Sequence, residues 1–474
     1  MIFTSFEFVL FFLMVLVIRS CIRSFTAEKW FLLIASYLFY MSWNVSCALL
    51  ILFTSLVDYF VGVGLGRIVD HGRRKLLLVI SIVANLGVLA FFKYTNFMLE
   101  NLNWGVTALG LHVQHWHYDI LLPVGISFFT FQSMTYTIET YRGNIRACHS
   151  LRDFLLFVSF FPQLLAGPIN RAADLLPQFR SRLRAGAFDF EAGLAQFVLG
   201  AVKKLVISDR IAPHVDLIFA NPGSYDGFTL LQGAIGYAIQ IYCDFSGYSD
   251  MAIGCARMMG FKFMENFQMP YSAVSITEFW RRWHISLSSW FRDYLYIPLG
   301  GNRKGTERTY INLMVTMLLC GLWHGASWNF VFWGGLHGSA LAVHRAWKAW
   351  EPLASLNGRA TLQLIRNFFS RVLTLGVALV GWVFFRAQSW ADAWTYLSRM
   401  VNWGHDGTRV VSPFILPAMA SVIVVHLIVN KDSNWAQELP GRTAPVRILS
   451  YASLVLLVTC LGAVDSVPFI YFQF

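Results

Sequence analysis

The stretch Leu76-Leu-Leu-Val-Ile-Ser-Ile-Val-Ala-Asn-Leu-Gly-Val-Leu-Ala-Phe-Phe92 carries no charge, and the basic loop Arg67–Lys75 precedes it. An apolar run of this length approaches the roughly 20 residues that take a helix across a hydrocarbon core about 30 Å thick. It reads as a membrane span with a cationic flank. Runs of the same kind recur at Ile2–Ile18, Ala48–Gly64, Leu313–Leu322, Asn329–Val343, Val372–Phe385, Ile415–Val429 and Ile448–Val464. Several are short and need polar or aromatic neighbours to complete a crossing, and about ten spans are expected. Of the 474 residues, 56% are hydrophobic and 13% charged, against roughly 25% charged in soluble domains. The polar stretches, of which Ile169–Asp189 and the region around Gly301–Thr309 are the longest, are only loop-sized. The expected fold class is therefore an all-α polytopic membrane protein, with residues 1–474 forming a single membrane-embedded domain.

The net charge of +11 would suggest nucleic-acid binding in a soluble chain, but here the cations sit in short loops between apolar runs, where they act as topology signals. The expected partner surface is lipid, not nucleic acid. Loops Arg19–Lys29, Arg67–Lys75 and Arg142–Arg152 are rich in Lys and Arg, whereas Glu100–Tyr118 has neither. The positive-inside rule places the first three in the cytoplasm and the last outside. Arg19-Ser-Cys-Ile-Arg23 follows the first run without a small-x-small cleavage pattern, so that run reads as a retained helix. The apolar run Phe154–Gly167 lies between two basic stretches, Arg142–Arg152 and Arg171–Arg184, so both its ends read as cytoplasmic. A re-entrant segment broken at Pro162 and Pro168 satisfies this, and such backbone is tolerated only where protein or a water-filled cavity covers it. The seven cysteines are odd in number and widely spaced, which fits buried apolar residues and no disulfide framework.

Three segments place unusual polar groups in apolar surroundings. Thr277–Arg292 sets Trp280, Trp283, His284, Leu287, Trp290 and Phe291 on one face at helical spacing, the pattern of an amphipathic interfacial helix. His284 in that stripe is the residue this reading leaves unexplained. Cys320-Gly-Leu-Trp-His-Gly-Ala-Ser-Trp-Asn-Phe-Val-Phe-Trp-Gly-Gly-Leu-His337 puts His324 between Gly321 and Gly325, a small-xxx-small pair that admits a close helix or substrate. Ionisable groups inside a membrane cost roughly 2.5–3.5 kcal/mol on insertion scales and so mark functional candidates. An aromatic wall of Trp323, Trp328, Phe330, Phe332 and Trp333 would keep the His324 imidazole neutral and able to act as a general base. In Asp244-Phe-Ser-Gly-Tyr-Ser-Asp250 the two carboxylates do not share a helical face, and one of them is expected to orient a histidine or an arginine. His112, His115 and His117 lack a cysteine or carboxylate to complete a metal set, Asp119 excepted, so no metal site is expected. The chain has no G-x-S-x-G, P-loop, G-x-G-x-x-G or H-E-x-x-H motif, which weighs against serine-hydrolase chemistry and nucleotide hydrolysis.

These segments, with Leu122-Pro-Val-Gly-Ile-Ser-Phe-Phe-Thr-Phe-Gln132 and Phe161-Pro-Gln-Leu-Leu-Ala-Gly-Pro-Ile169, resemble the membrane-bound O-acyltransferase family over nearly the whole chain. Gly381-Trp-Val-Phe-Phe-Arg-Ala387 and Phe469-Ile-Tyr-Phe-Gln-Phe474 resemble its alginate O-acetyltransferase branch in particular. The resemblance implies a helical core with re-entrant segments and a central tunnel, faced by His324 at the family's near-invariant histidine and by His284 at its second. It implies O-acyl transfer, with acetyl the expected group: His324 is the catalytic base and His284 positions a substrate or supports it. No bound cofactor is expected; the acyl donor is acetyl-CoA or an acyl carrier protein thioester on the cytoplasmic side. By the same analogy the partners are extracytoplasmic acetyltransferases and a polysaccharide synthase complex at a bacterial inner membrane, and the product is an O-acetylated exopolysaccharide of alginate or cellulose type. D-alanyl transfer to teichoic acid and transport of a lipid-linked sugar are the alternatives. Asn170, after Gly-Pro-Ile, is more polar than the family pattern leads one to expect, which bears on local packing only.

Overall fold

The computed structural model describes residues 1–111, 116–350, 360–403, 406–428, 435–463 and 467–472. Among these, regular structure is helical apart from an isolated bridge between Tyr225 and Thr408. The chain forms two compact units that alternate in sequence. The first comprises Met1–Phe197, Tyr248–Met264 and Leu439–Gly441, and the second Val198–Gly247, Glu265–Glu438 and Arg442–Phe474.

The first unit opens with α1 (Phe6–Cys21), α2 (Phe25–Met41), α3 (Val45–Arg67) and α4 (His71–Ala108). Each starts at a polar side chain, Ser5, Ser24, Asn44 or Asp70, that accepts a first-turn backbone N–H and so satisfies a donor the helix leaves open. α4 continues through Lys93 and Glu100 to Ala108. The external stretch expected to begin at Glu100 is thus helical over its first turns, because Lys93 and Glu100 interrupt the hydropathy without interrupting the helix. After α5 (Ile126–Arg142) come α6 (Leu151–Ser159), α7 (Phe161–Leu164), α8 (Ala172–Leu175) and α9 (Ala187–Ala201). The break between α6 and α7 falls at Phe160, ahead of Pro162, and residues 156–170 are buried throughout, the covered broken backbone that the prolines signal. Asn170 serves local packing there: its amide donates to Gln163 Oε1 (2.9 Å), and its oxygen accepts the Met264 N–H (3.3 Å).

Two polar knots hold this unit together. Asp58, fully buried, accepts the Ser81 hydroxyl (2.6 Å), the Asn85 amide (2.8 and 2.9 Å) and the Ser133 hydroxyl, tying α3, α4 and α5. Glu28, 1% exposed, accepts Arg19 (2.7 Å), Arg182 (2.8 Å) and Arg184 (2.6 Å). A buried carboxylate is tolerated only with partners of this kind.

In the second unit a π-helical turn (Val202–Ser208) leads into α10 (Asp209–Ala220), and α11 (Gly227–Met258) starts here. The segment expected to be one amphipathic helix is two short ones, α12 (Ile276–Arg282) and α13 (Ile285–Phe291). The Trp283 N–H closes α12 on the Phe279 carbonyl, the Ile285 N–H turns away to the Asn266 carbonyl, and His284 between them is left-handed at φ 43°, ψ 56°. The Trp and Phe face is buried in protein and not laid on an interface: Trp283 and Leu287 are 1% exposed. Tertiary bonds from Asn266, 18 residues upstream, outweigh helical propensity here.

α14 (Thr306–His324) and α15 (Trp328–Trp350) form a tight hairpin. A Cβ at Gly321 would overlap the Phe330 carbonyl oxygen, one at Gly334 the Met317 carbonyl oxygen, and one at Gly325 the Phe330 ring. The glycine pair around His324 therefore admits the partner helix α15. Then come α16 (Ala360–Arg386), α17 (Trp390–Val401), α18 (Ile415–Ile428), α19 (Trp435–Glu438) and α20 (Ala444–Leu461). Among the described residues four helices, α3, α4, α16 and α20, are long and apolar enough to cross a membrane, fewer than the about ten spans expected. α14 and α15 have the length, but their buried Thr, Asn and His residues lower the hydropathy.

Candidate active site

His324 ends α14, where Gly325 stops the helix in extended conformation, and is 3% exposed. Its ring lies 5.1 Å from Trp323, 4.9 Å from Trp333, 5.2 Å from Phe385 and 5.6 Å from Tyr471, centroid to centroid. Nε2 is 4.0 Å from Cys320 Sγ, one turn back. The sequence expectation of an aromatic wall is met in part: Trp323 and Trp333 line it, while Trp328 is 61% exposed. Phe385 and Tyr471 come from elements remote in sequence.

His284 is fully buried. The Ser286 backbone N–H (3.2 Å) and hydroxyl (2.9 Å) both donate to Asn266 Oδ1, which fixes that atom as an acceptor. His284 Nδ1, 3.2 Å from the same oxygen, therefore carries the ring proton, and Nε2 is the basic nitrogen. The His284 ring stands edge to face on Phe245 at 4.6 Å and also neighbours Trp323 (6.2 Å) and Tyr471 (6.4 Å). The two histidines thus share Trp323 and Tyr471, although 40 residues separate them in the chain.

A buried ion cluster sets Tyr471 and Phe245 in place. Lys204 Nζ, on the π-helical turn, lies 2.8 Å from Asp209 and 2.7 Å from Asp244 and donates to the Val467 carbonyl (2.8 Å). Asp244 also accepts the Ile470 N–H at 2.7 Å. Asp244 therefore partners a lysine and a backbone N–H and is not a carboxylate that orients a histidine or an arginine, the role expected for one of the two. Asp250 is in the other unit, where its carboxylate accepts the Gln196 amide (3.2 Å). Sequence reasoning missed Asn266, Lys204 and Tyr471. Lys203-Lys204 ahead of Asp209, inside an otherwise apolar stretch, was the available signal for the cluster.

No three His, Cys, Asp or Glu side chains come together as a metal set among the described residues; His112 and His115 lie outside them. All seven cysteines are free; Cys47, Cys243, Cys255 and Cys320 are buried, Cys148 is half-buried, and Cys21 and Cys460 are exposed on α1 and α20. The arrangement sets two imidazoles in apolar surroundings, and a neutral imidazole can remove a proton from a hydroxyl, one of the elements of acyl transfer.

This helical membrane protein with paired buried histidines is a membrane acyltransferase by class. The chain belongs to the membrane-bound O-acyltransferase (MBOAT) family, whose pattern matches residues 74–403, and it is an O-acetyltransferase. It is 46% identical to the "Probable alginate O-acetylase AlgI" of Pseudomonas aeruginosa over 379 residues, 79% of this chain and 69% of that one. The protein of the same name from Pseudomonas putida is 40% identical over 94% of both chains. The "Peptidoglycan O-acetyltransferase" of Helicobacter pylori is 37% identical over 79% of this chain and 74% of its own.

Proposed function

We propose that this chain takes an acetyl group from a cytoplasmic thioester, acetyl-CoA or an acetylated carrier protein, and delivers it across or into the bacterial inner membrane for O-acetylation of an exopolysaccharide of alginate or cellulose type. The observation that carries this reading is the meeting of His324 and His284 around Trp323 and Tyr471, in a chain whose relatives are named for polysaccharide O-acetylation. An acceptor hydroxyl attacks the thioester carbonyl while His324 takes its proton; the C–S bond breaks and the thiolate leaves, reprotonated from the imidazolium. General-base assistance of this kind contributes about 10²–10⁴-fold. His284, with Nε2 basic and Nδ1–H held by Asn266, accepts a hydrogen bond from the acceptor hydroxyl or supports His324. A tunnel through the helical core brings donor and acceptor to these histidines from opposite faces. Extracytoplasmic acetyltransferases working with a polysaccharide synthase complex complete the transfer.

The test is a deletion strain. Its secreted polysaccharide and its peptidoglycan are assayed separately for ester-linked acetate. The reading expects acetate to vanish from the secreted polymer and persist in peptidoglycan, with restoration by the plasmid-borne chain. Acetate lost from peptidoglycan alone would move the acceptor to the cell wall.

A further inference from the structure

The C-terminal segment that brings Tyr471 to both histidines has little helix of its own beyond α20, so its buried backbone groups must find partners elsewhere. Those partners lie on the π-helical turn, on α10 and on α11. The turn offers one because of its winding. The Asp209 N–H, which would close on Leu205 in an α-helix, closes on Lys204 instead, and the Leu205 carbonyl accepts the Ala463 N–H at 3.0 Å. Turns of this kind recur at functional sites. Arg210 of α10 donates to the Leu461 (2.8 Å) and Gly462 (3.1 Å) carbonyls at the end of α20.

Farther along, Lys204 and Asp244 take one backbone group each. Lys204 Nζ donates to the Val467 carbonyl at 2.8 Å. Asp244 Oδ2 accepts the Ile470 N–H at 2.7 Å, while its Oδ1 faces Lys204 Nζ at 2.7 Å. Phe469 and Ile470 are buried there. The next residue is Tyr471, whose ring packs on Phe245 (4.6 Å) and His324 (5.6 Å); Phe245 in turn stands against His284 at 4.6 Å. One carboxylate thus governs both sides of this contact, since Asp244 precedes Phe245 on α11 and holds the residue that precedes Tyr471.

We infer that Asp244 is a positioning residue for acyl transfer: by accepting the Ile470 N–H it docks the C-terminal segment, and the His324–His284 pair is set for reaction only with that segment docked. The inference rests on the acyl-transfer reading above. Both Asp244 oxygens must accept, which a carboxylate does and an amide cannot. Asp244→Asn keeps the shape and turns an N–H onto Lys204 or onto Ile470. It leaves Lys204 paired with Asp209, so no carboxylate is stranded. Ile470→Pro deletes the same bond from the segment's side and leaves the ion cluster intact. Ile470 opens a 3₁₀ turn, where the fixed φ of proline is tolerated. Ile470→Ala keeps the N–H, trims the side chain and so measures packing alone.

Ester-linked acetate on the secreted polymer, compared at matched membrane level, is expected to fall about tenfold or more in Asp244→Asn and in Ile470→Pro, because misplacing reacting groups by about 1 Å costs up to about a hundredfold. The double variant is expected to fall no further than the lower single, since both remove one bond; independent losses would multiply. Hydrogen exchange separates docking from general destabilisation. The C-terminal peptide should exchange faster in both variants, with the α14–α15 hairpin as protected as in the wild type. If Asp244→Asn fails to accumulate, Ile470→Pro against Ile470→Ala carries the test. Equal acetylation by those two, or multiplied losses in the double variant, overturns the inference. Full acetylation by His324→Ala would instead overturn the acyl-transfer reading beneath it.

Discussion

Asn266 decides which nitrogen of His284 carries the proton, since its oxygen is already committed as an acceptor to Ser286. Asn266→Ala should release the imidazole to either tautomer and lower polymer acetylation about tenfold, a factor corresponding to one lost hydrogen bond. Asn266→Asp, which keeps the acceptor, should retain more, and equal activity of both variants would contradict the assignment. Lys204 stands 3% exposed between two carboxylates, so Lys204→Met leaves Asp209 and Asp244 uncompensated. The expected cost is about 3–5 kcal/mol, read as a drop in unfolding temperature and in membrane level. His324 was legible in the sequence because a histidine between two glycines in an apolar run is conspicuous. Asn266 and Lys204 were not, because each acquires meaning only from partners that the fold brings to it.

At the scale of elements, the α14–α15 hairpin is what aims His324. Gly321→Ala drives a methyl into the Phe330 backbone carbonyl, whereas at Gly335 the nearest side chain, Leu318, is 3.7 Å away. Gly321→Ala should therefore destabilise by about 1–3 kcal/mol and Gly335→Ala should be tolerated. Thermal unfolding in detergent compares the two, and equal stability would refute backbone contact at Gly321. The small-residue spacing foretold a close approach here without naming what approached. The same kind of pattern reading failed over Thr277–Arg292, where nothing local marks the break at His284: neither Gly nor Pro stands there, and the signal is the distant Asn266 carbonyl. Pro162, by contrast, marked the α6–α7 break openly.

For the whole molecule, the apolar runs and the composition together pointed to a helical membrane protein, since 13% charged residues is about half the share found in soluble domains. Counting spans from apolar runs was less secure, because helices that carry the site must also carry polar groups, and their hydropathy falls as their function rises. Loop charge leads to a topology test. In a cysteine-free background, Leu109→Cys should react with an impermeant maleimide on spheroplasts and Arg146→Cys only after permeabilisation; the reverse would invert the orientation assigned by the basic loops.

The central claim is that His324 removes the acceptor's proton in acetyl transfer. Its most direct measurement is the ester-linked acetate of secreted polysaccharide from deletion cells complemented with His324→Ala, with membrane level of the variant checked by blot. The account predicts a fall to the level of the uncomplemented deletion at normal protein level. Acetate held at the wild-type level would contradict it.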